Sequence, residues 1–376
     1  MKQKNNILIY LFFGIILLSL VLFLLLPKQS FSKQENRVLQ EKPALKASEV
    51  SSGAFMEKAD NYIADHFPFR DTWITVKAAC EYAAGKRLSN GIYYGENGQL
   101  FPQFNVPDYS KLEQKIDWIN SFSSSLSSPV SIGLIPSASD IQKDRLPLYT
   151  SSTAEEDAIR FCYDKLNGPQ SIDIRSLLLE HQSENIYYRT DHHWTSYGAK
   201  IAFDTLQDNL YSAKKYDTSS LSATTVCDDF YGTSYSSSGY TWVAPDTIDT
   251  YINGNDAIVE SFRSGVQNEP VISDLYDESM LQEKDKYSYF LGGISPLIHI
   301  QNSNLAPSSL LLIRDSYSDS IAPFLSQAYS DIYLIDLRYY KESIQQFIQT
   351  HPIDEILIMY SMKNFAEDNN LGLLLG

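Results

Sequence analysis

The chain has 376 residues, which allows two or three domains or one large α/β domain with insertions. Its 30 basic residues against 46 acidic leave a net charge of −16, which argues against nucleic acid as a partner. An apolar fraction of 43% excludes wholesale disorder, and Gly 17 with Pro 15 excludes a collagen-like chain.

Residues 7–26 are apolar apart from Ser19, long enough to cross a bilayer as a helix. Lys2 and Lys4 precede the run, so residues 1–6 are expected to stay cytoplasmic. A cleaved signal would have a shorter apolar core and an A-x-A-like site, whereas Pro27-Lys28-Gln29-Ser30 follows here. A single-pass signal-anchor at residues 7–26 is therefore expected, in the cell membrane, with the bulk of the chain outside. Residues 27–50 read as a tether and residues 51–376 as the folded domain. Cys80, Cys162 and Cys227 are far apart, so neither a zinc cluster nor a disulfide scaffold is expected.

Residues 55–84 carry a helical pattern that Phe67-Pro68-Phe69-Arg70 interrupts. The break is expected to pack on the core, as are Trp73 and Trp118. Asn90-Gly91 and Asn97-Gly98 bracket Ile92-Tyr93-Tyr94, a hairpin signal. A helix is expected over 110–126 and a buried strand over 130–135. A short strand near Ile186-Tyr187-Tyr188 and a helix from Thr195 follow, the latter on the spacing of Ala199, Ala202, Phe203, Leu206 and Leu210. Residues 214–290 are polar with poor periodicity and read as an insertion of loops and short strands. Apolar runs at 310–313, 332–337 and 355–360, alternating with helices at 322–329 and 342–350, predict an α/β fold, a parallel sheet with helices on both faces.

In such a sheet reactive groups gather at the carboxyl ends of the strands. The first of these three strands ends in Arg314-Asp315-Ser316-Tyr317-Ser318, which places Ser316 on a strand-to-helix corner. There its hydroxyl can face the crevice, and the N–H groups after it can hold an oxyanion. Asp315 or Ser316 can equally be a helix cap. A nucleophilic serine needs a base, and the base an orienting group. Thr190-Asp191-His192-His193-Trp194-Thr195 lies just before a helix. Asp191 and His193, two apart in an extended stretch, point the same way, so the carboxylate can hold the imidazole. A structural turn anchored by Trp194 is the plainer alternative. A metal held by Asp191, His192 and His193 lacks further ligands at recognisable spacing, so no metal or other cofactor is expected.

Asp191-His192-His193-Trp194 resembles the signature of the DHHW family of bacterial surface proteins. Residues 62–73, from Tyr62 to Trp73, the Tyr187-Tyr188-Arg189-Thr190 string and Arg314-Asp315-Ser316-Tyr317-Ser318 fit as well, so the resemblance covers about residues 35–365. The family is similar in turn to the SGNH-hydrolase-like domains of alginate O-acetyltransferases, which carry an Asp-x-His-Trp string and a later Gly-Thr-Ser-Tyr-Ser-like corner. The resemblance implies an SGNH-hydrolase-like fold, with Asp191 and His193 on the Asp and His and Ser316 on the serine. Arg314 departs from the family's glycine. It would bind an acyl anion or sugar acid, or block the pocket. Gly232-Thr233-Ser234-Tyr235-Ser236 carries the same corner pattern, but no apolar strand run precedes it, so Ser316 is preferred over Ser234.

The expected function is an extracytoplasmic O-acetyltransferase or esterase acting on a cell-surface or exported polysaccharide through Ser316, His193 and Asp191. Arg314, Arg189, Tyr360 and Asn364 are the expected substrate contacts. The glycan and the membrane are the expected partners, with room for a membrane protein that delivers the acyl group. The competing class is a non-enzymatic surface protein that keeps the fold and binds glycan.

Overall fold

The computed structural model describes all residues except 1, 33, 36, 149, 151–153, 254–255 and 264–268, and gives the backbone alone for residues 2–6. The side chains of Lys2 and Lys4, on which the expected orientation rests, therefore lie outside the described residues. Two compact units divide the chain: Met1–Asn90 with Ser236–Trp242, and Gly91–Tyr235 with Val243–Gly376.

In the first unit the apolar run forms a helix over Lys2–Leu25, and its Ile7–Leu25 stretch is long and apolar enough to cross a membrane. The Phe67-Pro68-Phe69 break splits the next pattern into helices Ala54–Asp65 and Arg70–Ala83. Contrary to expectation, Phe67, Phe69 and Trp73 are exposed rather than core. The reason lies in the helix face. Ile74 and Ala78, one turn apart, receive the backbone of Gly239, whose left-handed φ of 78° brings the chain close to them. Trp73 lies on a different face of that helix.

In the second unit eight strands form one sheet. They are β1 (Val130–Ile135), β2 (Gln170–Ile172), β3 (Ile258–Ser261), β4 (Val271–Ser273), β5 (Leu297–Gln301), β6 (Ser309–Arg314), β7 (Asp331–Ile335) and β8 (Glu355–Ser361). The order is β4-β3-β5-β7-β6-β8-β1-β2, parallel from β7 to β2 and antiparallel from β7 to β4. The continuous apolar runs of β6, β7 and β8 reflect burial on both faces. Leu310 and Leu312 join one core with helices Ile174–Glu180 and Ser196–Asn209. Leu311 and Ile313 join the other, with helices Tyr109–Ser124, Ala154–Asp164 and Ile344–Thr350. The parallel sheet with helices on both faces is thus present, extended at one edge by antiparallel strands.

The 214–290 region is more than an insertion. Its Ile258–Ser261 and Val271–Ser273 segments extend the main sheet, and Thr224–Phe230 pairs with Asp246–Thr250 in a separate ribbon. Strand β5 is likewise an addition to the expected elements. These segments are short and half-polar, and β3 gains its strand identity only by pairing with β4 and, more distant in sequence, β5. The expected helix at 322–329 shortens to Ala322–Leu325.

Candidate active site

Strand β6 delivers Ser316 to the carboxyl end of the parallel sheet. Asp315 accepts from the Tyr317 N–H at 3.1 Å and so caps a short 3₁₀ turn, Ser316–Asp319. Of the two residues that could cap this corner, Asp315 does so, and the Ser316 hydroxyl is not used as the cap. The other Asp315 oxygen accepts from Ser361 N (2.9 Å), Ser361 Oγ (2.7 Å) and Asn364 Nδ2 (2.8 Å). The end of β8 thereby latches the corner that follows β6.

The Asp191-His192-His193-Trp194 loop is closed by Tyr188 N–H donating to His193 O and Thr195 N–H to Ile186 O. Asp246 accepts from the amides of Arg189 (2.9 Å) and Thr190 (2.7 Å), fixing the approach to the loop. Thr195 caps the helix Ser196–Asn209, as its position in the sequence suggested. The buried Trp194 indole donates to Tyr317 O (3.0 Å) and Ser320 Oγ (2.9 Å), and the Tyr317 hydroxyl donates to His192 O. Trp194 therefore ties the two segments together across 123 positions of sequence.

At their junction His193 Nε2 lies 2.9 Å from Ser316 Oγ, and His193 Nδ1 lies 2.6 Å from Asp191 Oδ1. An ionised carboxylate only accepts, so Nδ1 carries the proton and Nε2 is the bare acceptor facing the serine hydroxyl. Asp191 Oδ2 accepts from Thr233 N (2.7 Å) and Thr233 Oγ1 (2.9 Å). With its proton so used, Thr233 Oγ1 accepts from His192 Nδ1 at 2.7 Å. Tyr287 stacks flat on the His193 ring, with centroids 3.8 Å apart and planes 4° apart.

Burial and the charge of His192 push the His193 imidazole down to about 4, against the pull of Asp191. Burial acts to raise the Asp191 carboxyl, but the charges and hydrogen bonds of His192 and His193 outweigh it and hold it well below the usual range.

Gly232 and Thr233 belong to the segment that shares the serine-corner pattern, and here they serve the aspartate instead. A Cβ on Gly232 would stand 2.2 Å from Asp191 Oδ2, so only glycine lets this backbone reach the carboxylate. Ser234 is buried, and its hydroxyl makes no hydrogen bond to His193. Nothing in the residue pattern marks Gly232, Thr233 or Tyr287 as neighbours of Asp191 and His193.

The expected substrate contacts fare unevenly. Arg314 is 2% exposed and paired with Asp319 at 2.8 Å, so it faces the interior rather than a ligand. Burial raises the Asp319 carboxyl to about 7, against the pull of Arg314. Tyr360 has no exposed surface and packs in the core on the helix side of β8, so it cannot line a substrate wall. Asn364 holds Asp315. Arg189 does not pair with Asp191. Its guanidinium donates to Pro245 O at 2.7 Å, on the wall of a cleft of about 800 Å³ that Tyr187, Tyr188, Tyr197 and Tyr251 also line. The N–H groups of Tyr317 and Ser318, expected to hold an oxyanion, are already taken by Asp315. Asp191, His192 and His193 do bring three ligand atoms within 4.8 Å of one another, a grouping that a metal could use.

A protein-family model described as "DHHW protein" matches residues 127–335. No curated protein matches the sequence. Among solved structures, a DHHW family protein from Eubacterium siraeum is 24% identical with a TM-score of 0.64, over 76% of this chain and 95% of that one. PatB1 from Bacillus cereus, in a structure with a sulfonyl adduct, is 20% identical with a TM-score of 0.61, over 74% of this chain and 98% of its own. The O-acetyltransferase domain of AlgJ from Pseudomonas putida is a looser likeness, 13% identical with a TM-score of 0.45, over 75% of this chain and 94% of that domain.

Proposed function

The chain belongs to the DHHW family, and from that premise we propose that it is an acyl-transfer enzyme whose nucleophile is Ser316. The observation that carries the reading is the continuous path Ser316 Oγ to His193 Nε2 (2.9 Å) and His193 Nδ1 to Asp191 Oδ1 (2.6 Å). His193 takes the hydroxyl proton as Ser316 attacks an ester carbonyl, and Asp191 holds the ring in the tautomer that leaves Nε2 free. The N–H of Ser316 itself is the backbone donor we assign to the oxyanion. The tetrahedral intermediate then expels the donor alcohol, which leaves with the proton from His193. The acyl-serine passes its acyl group to a sugar hydroxyl in transfer, or to water in de-esterification.

A cell-surface or exported polysaccharide is the proposed acceptor. The tyrosine-lined cleft beside Arg189 supports it, since aromatic rings with polar edges suit saccharide faces. The N-terminal apolar helix, read as a single-pass anchor, would hold the enzyme outside the cell at that polymer. No metal is assigned. The 2.6 Å contact of His193 Nδ1 with Asp191 Oδ1 is read as a hydrogen bond with the proton on Nδ1.

The presence of a sulfonyl adduct in the PatB1 structure suggests the test. A sulfonyl fluoride should modify the protein once, on the peptide containing Ser316, and abolish acetyl-ester turnover. His193→Ala should lose both. A folded Ser316→Ala protein with wild-type turnover would overturn the assignment. Wild-type protein that neither reacts nor turns over any acyl donor would instead favour a glycan-binding surface protein.

A further inference from the structure

The exposed aromatic side chains of the first unit have no role in the reaction above. Phe69 is 62% exposed, Trp73 57% and Phe67 41%, around the break between helices Ala54–Asp65 and Arg70–Ala83. Phe69 precedes the first turn of helix Arg70–Ala83, and on that helix the exposed Trp73 and Val76 are three apart, on one face. Phe69 holds a left-handed φ of 57°, a conformation that a bulky residue adopts only when its surroundings impose it. That strain presents a large ring to the outside instead of hiding it.

The corner is also held rigid. The Trp73 indole donates to Pro68 O at 3.1 Å. Arg70, next to Phe69, pairs with Glu35 (2.8 Å), Asp71 (3.3 Å) and Asp65 (3.8 Å), and Arg37 pairs with Glu35 at 2.7 Å. These paired charges cancel much of one another, although the chain as a whole is strongly acidic.

Its place in the unit supplies the occupant. Phe67, Pro68 and Phe69 share the wall of one cavity with Leu26 and Pro27, where the apolar helix ends. Phe23 of that helix meets Tyr62 of helix Ala54–Asp65 edge-on, with ring centroids 6.1 Å apart. Phe23 is three residues before Leu26, about 4.5 Å down the helix axis. Helix Ala54–Asp65 thus reaches the level at which a membrane-crossing helix leaves the hydrocarbon. Aromatic rings, tryptophan above all, favour this interfacial layer.

We propose that Phe67, Phe69 and Trp73 form an aromatic wedge that sits in the interfacial layer of the bilayer crossed by Ile7–Leu25. The wedge rests on the reading of that helix as an anchor. It adds a second lipid contact that sets how the first unit stands on the membrane.

The test uses the full-length protein in phosphatidylcholine vesicles whose acyl chains are brominated or unbrominated near the headgroup. Brominated lipid should quench a component of tryptophan emission that Trp73→Phe protein lacks. The same component should be open to aqueous iodide in detergent and shielded in vesicles. Equal bromine quenching of wild type and Trp73→Phe overturns the wedge. Shielding without bromine quenching also overturns it, and points to a second copy of the chain on this surface. Alkaline carbonate separates the two readings. Release from the vesicles overturns the anchor and the wedge with it, whereas retention with equal quenching overturns the wedge alone.

Discussion

Burial and the electrostatic effect of the neighbouring His192 lower the His193 imidazole to about 4, so the proposed base is neutral well below the ordinary histidine range. The free-enzyme profile of kcat/KM should rise through about pH 4 and be flat from pH 6 to 8. His192→Ala removes one cause of the depression, so its acid limb should move to higher pH. The same shift acts on stability. The unfolded chain takes up this proton near 6.5 and the folded chain only near 4, so the stabilisation present above 6.5 is lost as pH falls between them. Thermal melts from pH 7 to 4 should therefore fall more steeply for wild type than for His193→Gln. Gly232 and Thr233 offer a sharper test of geometry. Gly232→Ala drives a methyl group into Asp191 and should cost about 100-fold in turnover, as a misplaced catalytic group does. Thr233→Val keeps the backbone bond to Asp191 and loses the hydroxyl bond to it, so about 10-fold is expected, the size of one hydrogen bond near 1.4 kcal/mol. Esterase assays on folded variants check both.

The corner after β6 depends on β8 through Asp315, which gathers Ser361, Asn364 and the Tyr317 amide. Asp315→Asn replaces one accepting oxygen by a donor that faces other donors. It should destabilise by about 1–3 kcal/mol and lower kcat more than it raises KM, because Ser316 loses its footing. Beneath the corner, Arg314 depends on Asp319. Asp319→Ala leaves a buried guanidinium without its partner and should cost about 3–5 kcal/mol in urea unfolding, whereas replacing both partners by apolar residues should cost less. A cost for Asp319→Ala within about 0.5 kcal/mol of zero would mean that Arg314 reaches solvent.

For the whole molecule the expectation is a chain anchored by the Ile7–Leu25 helix with the bulk of its residues outside. Protease added to intact protoplasts should leave only a fragment containing the Ile7–Leu25 helix, and full-length survival would reverse the topology. Chelators should change neither turnover nor the melting transition. Stoichiometric metal in the purified protein would instead give the Asp191, His192 and His193 group a ligand-binding role.

Local chemistry made much of this protein legible in its sequence. A stretch of about twenty residues, apolar but for Ser19, must find a non-aqueous surrounding, and the buried strands of a parallel sheet must be apolar on both faces. The Ile7–Leu25 helix and strands β1, β6, β7 and β8 were therefore readable from residue type alone. The pairing of Asp191 with His193 was readable for a similar reason, since two residues of extended chain point the same way. Contacts set by pairing between distant segments were not readable. Strand β3 is polar at half its positions and becomes a strand only between β4 and β5. Thr233 reads in sequence as part of a spare serine corner, and only the fold places it on Asp191; Tyr287 carries no mark of the histidine it covers. Arg314 and Tyr360 sit at the end of the sheet where ligands bind, yet both turn inward. The alternation along a strand decides which face a side chain joins, and only the packed layers decide whether that face is solvent or core.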